Sequence, residues 1–157
     1  MLAHDYLALD YIARSILLFW ALWGTVVCLS DTIDYLQSFG IIRNRFHFDS
    51  KNSDVVREFW ANYHIYSLRL VQFSYAFIIG LAYFITILFW CAFIISFIGP
   101  YQFYLQVAFW ALFAGIALNV LFVLLDEIFI QYALTHAHML RLILRFVTLI
   151  VFIYLVI

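Results

Sequence analysis

Four apolar stretches, each long enough to cross a bilayer, limit what this chain can fold into. They cover about residues 12–30, 70–98, 104–134 and 140–157. A hydrocarbon core of ~30 Å requires about 20 apolar residues in a helix. Apolar residues make up 68% of the 157 residues and charged ones only 11%, an excess that no compact water-soluble fold of this length has the interior to bury. The sequence therefore predicts an all-α integral membrane four-helix bundle that forms one domain, residues 1–157.

The basic residues predict the orientation of these helices. Of the eight, five lie between the first and second stretches, two open the fourth, and only Arg14 lies on the other side. Because cytoplasmic loops of membrane proteins carry an excess of Lys and Arg, we expect both termini outside and the long loop after the first helix in the cytoplasm. Asp5 and Asp10, with no early basic residue, disfavour a cleavable signal peptide.

The beginning of the long loop allows two interpretations. In the first, Ser30 or Asp31 caps a new short helix, TIDYLQSF, which Gly40 terminates. In the second, the first transmembrane helix continues through this segment and brings Asp31 and Asp34 to its negative C-terminal end. Acids are unfavourable there, so the second interpretation requires a positive group opposite them.

The end of the long loop predicts a helix that lies in the membrane interface. Asn52 or Ser53 is a suitable N-terminal cap. The helix has an apolar face and a polar face, as helices at the interface do. The apolar face carries Val55, Val56, Phe59, Trp60 and Tyr63, and the polar face carries Arg57, Glu58 and Asn62.

Polar residues near the cytoplasmic ends of the helices form the candidate site. Charged groups at membrane depth are costly, so each needs a partner or a purpose. On one helix, Glu127, Gln131, Thr135 and His138 share a stripe. A turn around residues 135–138 would place Arg145 opposite Asp126 and Glu127, and Arg141 opposite Gln131. The full candidate cluster comprises Asp31, Asp34, Asp126, Glu127, Gln131, His136 and His138, with Arg141 and Arg145 as ion-pair partners.

This cluster is interpreted either as an ion-pair network that locks helices together or as a proton-relay, metal or ligand site. Metal binding is weakly supported, because His136 and His138 are two residues apart rather than four. The Glu-x-x-His pair of di-iron bundles is absent from the sequence. The chain also lacks a Gly-rich phosphate loop and a GxSxG elbow, and the sequence does not identify a cofactor.

Several short motifs resemble those of a family of small bacterial four-helix membrane proteins. The segments are WALWGTVVCLSDTIDYLQSFGII, FHFDSKNSD and DEIFIQYALTHAH. The matching positions are Ser30, Asp31, Asp34, Leu36, Gly40, Phe48, Ser50, Asn52, Asp126, Glu127, Phe129, Tyr132 and either His136 or His138. Lys51 departs from the pattern, because glycine is common there. The resemblance implies a multi-pass protein of the bacterial cytoplasmic membrane and draws attention to Asp126 and Glu127, but it supplies no activity.

Three functions are compatible with these features. The leading hypothesis is a non-enzymatic accessory or scaffold subunit that contacts lipid and other membrane subunits or further copies of itself. The second is a binding or transport protein that uses the acid and histidine cluster for protons, a metal or a small ligand. The third is a membrane enzyme acting on a lipid or quinone. A net charge of −1 gives no concentrated basic face for nucleic acid.

Overall fold

The computed structural model of the chain consists of helices joined by short connections. It describes residues 3–42, 48, 50–128 and 132–156, without the side chains of residues 3–8, 126–128 and 132–135. The helices are α1 (Ala3–Ser38), α2 (Asn52–Asn62), α3 (Leu68–Ile98), α4 (Tyr101–Ile128) and α5 (Tyr132–Val156). The described residues contain no strand, and the predicted all-α class is confirmed.

Four of these helices are long and apolar enough to cross a membrane. Their membrane-spanning parts are Leu9–Ser38, Leu68–Ile98, Tyr101–Leu125 and His136–Val156. A helix is the form such segments take, because every backbone N–H and C=O must find its partner inside the segment when no water is present. The four predicted transmembrane helices are therefore confirmed, with α1 extending further at both ends than the predicted 12–30.

One compact unit comprises Met1–Ala21 and Ile85–Ile157 and contains parts of all four long helices. Its core is closely packed, since Leu17, Leu112 and Phe152 are fully buried and Phe89 is 1% exposed. These residues come from α1, α4, α5 and α3 respectively, and they belong to one continuous cluster of buried side chains. The four-helix bundle is thus observed within this unit.

The antiparallel register of α4 and α5 differs from the predicted one. The ring of His138 stacks on that of Phe122 with 5.2 Å between centroids, and Arg145 lies against Gly115. The two helices are separated only by residues 129–131, which lie outside the described residues. The predicted turn at 135–138 is wrong, because those residues belong to α5. Residues 129–131 include no Gly or Pro, so no local signal separates the two helices in the sequence.

The second compact unit is Leu22–Phe84 and holds the end of α1, all of α2 and the beginning of α3. Here α1 runs without interruption through Ser30 and Asp31 to Ser38, so the interpretation with a continuous first helix is the observed one. Extending a helix is cheaper than nucleating another. Gly40, at φ 72°, ends it as predicted, and the N–H of Ile41 donates to the carbonyl of Leu36 at 2.9 Å.

The described part of the long loop contains one short helix, α2, as the interpretation with a continuous first helix implies. On the predicted apolar face, Val55, Val56, Phe59 and Trp60 are half-buried but Tyr63 is exposed, and the side chains on the predicted polar face are all exposed. The predicted side-chain cap from Asn52 or Ser53 is wrong: the N-cap position is Lys51, and no side chain caps the helix from there.

Leu17 and Leu22 provide a matched test of this packing. Leu17 is fully buried and Leu22 is 50% exposed on the same helix. Leu17→Ala should lower the free energy of unfolding in lipid bicelles by about 2 kcal/mol, because a cavity replaces packed atoms. Leu22→Ala should change it little, since lipid tails fill the space that the side chain leaves. Equal losses in the two variants would contradict this assignment of the core.

Candidate functional site

The carboxylate of Asp34 is the centre of a buried network of hydrogen bonds. Asp34 is 3% exposed. Its Oδ1 accepts from the hydroxyls of Ser38 at 3.1 Å and Ser53 at 2.9 Å. Its Oδ2 accepts from the backbone N–H of Ser53 at 2.8 Å, the hydroxyl of Tyr75 at 2.8 Å and that of Ser50 at 3.3 Å. An ionised carboxylate has about four lone-pair positions, so these five donors use its whole capacity as an acceptor.

Asp34 also serves as the N-terminal cap that α2 lacks locally. The N–H of Ser53, the second residue of α2, is one of the donors that a helix cannot satisfy within its own first turn. A carboxylate is well placed at this end, because the helix dipole is positive there. One side chain of α1 thereby fixes where α2 begins.

Two further hydrogen bonds and one cation–π contact bring the same elements together. The Oδ1 atom of Asp31 accepts from the side-chain amide of Asn52 at 2.9 Å. The guanidinium of Arg57 donates to the carbonyl of Ser38 at 2.7 Å and lies 5.5 Å from the ring of Phe39. Arg57 thus satisfies a carbonyl at the C-terminus of α1, where a cation is favourable.

The donors around Asp34 are hydroxyls and an amide rather than a cation. The positive group that we expected to face its carboxylate is not found among the described residues, and the hydrogen bonds supply the compensation instead. Because both oxygens are occupied by the chain itself, Asp34 offers no open coordination position. Chemically, this arrangement can hold α1, α2 and α3 together.

The other members of the predicted cluster are distributed between α4 and α5. Asp126 and Glu127 lie at the end of α4, but their side chains are outside the described ones, and Gln131 is outside the described residues. His136 is exposed and His138 is half-buried, both on α5. The single stripe proposed for Glu127 and His138 is wrong, because they belong to different helices. Convergence of this group with Asp31 and Asp34 stays a prediction.

Arg145 and Arg141 also differ from expectation. Arg145 lies against Gly115, which precedes Asp126 by 11 residues in α4, or about 16 Å along the axis. The register in which Arg145 lies opposite Asp126 and Glu127 is therefore not the observed one. Arg141 is exposed, one helical turn nearer the start of α5.

The sequence did not point to Tyr75 and Ser38 as members of the network. Tyr75 is completely buried despite its hydroxyl. A tyrosine near the end of a transmembrane helix is usually explained by the aromatic belt at the interface, which conceals any other role. Ser50 and Asn52 did appear among the motif positions, and Ser53 appeared as a capping candidate.

Comparisons with known proteins do not add to this description. No protein-family model, curated protein or solved structure matches the chain. Among the residues that the structure describes, no group of three His, Cys, Asp or Glu side chains is arranged to hold a metal ion. The four apolar helices define a multi-pass membrane protein.

Replacing Asp34 tests the network. Asp34→Asn should lower the free energy of unfolding in bicelles by about 3 kcal/mol, because the amide keeps one acceptor oxygen and leaves buried donors without partners. Asp54→Asn is the matched control, since Asp54 is an exposed acid in the first turn of α2. Its loss should remain below about 1 kcal/mol. Similar losses in both variants would contradict the structural role of Asp34.

Lys51 carries backbone strain that a substitution should relieve. Its φ of 57° lies in the left-handed region, which glycine adopts without the steric cost that other residues incur. Lys51→Gly should raise the free energy of unfolding by about 1 kcal/mol. Lys51→Ala retains the strain and removes the amine, so it separates the two effects. A destabilising Lys51→Gly would show that the lysine side chain contributes more than the strain costs.

Proposed function

We propose that this chain is a non-enzymatic accessory or scaffold subunit of a larger assembly in the bacterial cytoplasmic membrane, related to the small four-helix proteins that its motifs resemble. The low burial of α5 is the observation that carries this proposal. Only 6% of the residues in an apolar 18-residue segment of α5 are buried, against 28%, 28% and 33% in the other three spans.

The exposed surface of α5 has the spacing of a helix-packing seam. Four aliphatic side chains follow one another at intervals of four, three and four residues, as in the heptad pattern of packed helices. This seam consists of Leu140, Leu144, Val147 and Val151, each at least 40% exposed. A transmembrane helix of a partner subunit is the occupant that matches its shape and chemistry, because helices in lipid associate through close van der Waals packing.

The Asp34 network supports a structural over a chemical role. A proton carrier, metal ligand or catalytic acid must exchange partners during its work. The Asp34 carboxylate instead accepts from five donors of its own chain. This favours the accessory subunit over the binding, transport and enzyme alternatives.

Mass measurement with a variant of the seam tests the proposal. Native mass spectrometry of the protein, extracted gently from its own membranes, should show a complex heavier than the 18.6 kDa chain. Val147→Trp should remove the additional mass, because the larger ring prevents close approach of a partner helix. Ile87→Trp is the control, since Ile87 is an equally exposed aliphatic residue on α3.

Two results would contradict this function. One is a bare chain in every gentle extraction. The other is a bound small molecule or metal that disappears in Asp34→Asn or His138→Ala, in a protein that remains folded by circular dichroism. The second result would favour the binding or transport alternative.

A further inference from the structure

Arg145 is a cation in the middle of a transmembrane helix. It follows the first residue of the α5 span, His136, by nine positions and precedes the last, Val156, by 11. At 1.5 Å per residue, it lies about 13 Å from one end and about 16 Å from the other. Charged side chains at this depth are expensive, and they mark functional positions unless a partner compensates them.

The surroundings of Arg145 compensate its charge only in part. Its guanidinium carbon lies 4.7 Å from the ring centroid of Trp20 and 5.9 Å from that of Phe89, and cation–π contacts of this kind are favourable. A Cβ added to Gly115 would overlap Nη1 of Arg145, so this glycine makes room for the guanidinium. Within the described part of the chain, however, Nε and Nη1 are buried and have no hydrogen-bond partner.

Among the acids whose side chains the structure describes, none supplies the missing partner. Asp10 forms an ion pair with Arg14, one helical turn along α1. Asp126 follows Gly115 by 11 residues on α4, a separation of about 16 Å that exceeds the reach of the two side chains. Among the described side chains, Arg145 forms no salt bridge.

A groove between α1 and α5 shares Trp20 with the surroundings of Arg145. It has a volume of about 290 Å³, and its walls are formed by Ile12, Ser15, Ile16, Phe19, Trp20 and Thr148. The two hydroxyls in it are already used, because Ser15 donates to the carbonyl of Tyr11 and Thr148 to that of Leu144. Trp20 both lines the groove and contacts the guanidinium, and Thr148 is one turn from Arg145. Thr148 also borders the seam of α5.

We propose that this groove receives a transmembrane helix of the partner subunit, and that a Glu or Asp side chain on that helix pairs with Arg145. The inference rests on the proposed function and names the chemistry of the partner. A carboxylate is the complementary group, because it carries the opposite charge and accepts charge-assisted hydrogen bonds from a guanidinium. A helix can present it at the middle of the bilayer, whereas a lipid phosphate stays at the interface, about 15 Å away.

The experiment uses defined peptides in place of the unidentified partner. The full chain is reconstituted in phosphatidylcholine vesicles with a labelled polyleucine transmembrane peptide that carries one central Glu or, in the matched peptide, one central Gln. Energy transfer between peptide and protein measures association. The Glu peptide should bind about tenfold more tightly than the Gln peptide, the ratio that corresponds to 1.4 kcal/mol.

Variants assign this preference to Arg145. It should disappear in Arg145→Gln, persist in Arg145→Lys, and persist in Arg141→Gln, which removes the exposed arginine on the same helix. If Arg145→Gln does not fold, Thr148→Trp provides the test, because it fills the groove and should abolish the preference while Arg145 remains. Equal binding of both peptides to the native chain overturns the inference.

Two further outcomes separate this inference from alternatives. Binding of a labelled fatty acid that depends on Arg145, without any preference between the peptides, assigns the groove to a lipid and overturns the inference. In the native membrane, a complex that Arg145→Gln leaves whole overturns the inference while the proposed function stands. If native mass spectrometry of the protein from its own membrane shows no additional subunit, the proposed function itself is contradicted.

Discussion

Hydrocarbon offers no hydrogen-bond donors or acceptors, and this constraint governs the whole molecule. The backbone meets it by forming long helices, in which each N–H and C=O finds its partner locally. Polar side chains meet it through contacts with their own helix or with other helices. Asp34 does so completely, with five donors from its own chain. Arg145 does so only in part, through the faces of two aromatic rings.

The Asp34 network links segments that are far apart in the chain. Its donors come from α1, from the residues around the start of α2, and from α3. Because they share one carboxylate, the energetic effects of changing them should not be additive. The Tyr75 hydroxyl shows why, since its single proton has acceptors both at Asp34 and at the carbonyl of Asp31. Loss of one donor changes the competition among those that remain.

Sequence patterns predicted the helices better than the contacts between them. Hydropathy located all four spans, because the transfer of each side chain into lipid contributes almost independently of its neighbours. It misplaced the turn between α4 and α5, because the polar residues before His138 were assigned to a connection although they continue a helix. Because of that error, Arg145 was expected opposite Asp126 and Glu127. It lies instead against Gly115, about three helical turns earlier in α4. Tyr75 was overlooked because interfacial tyrosines are common.

The sequence by itself determined that the chain is an all-α protein of the membrane, since composition and the length of the apolar stretches permit little else. It also determined that a helix ends at Gly40, because that glycine favours the left-handed conformation that a helix terminus requires, whereas the structure decided that this helix is α1. Only the tertiary structure decided that Asp34 caps α2 and that Arg145 lies on Trp20 and Gly115. These contacts depend on how helices are aligned against each other, and that alignment is set by side-chain packing over the whole core rather than by any local pattern.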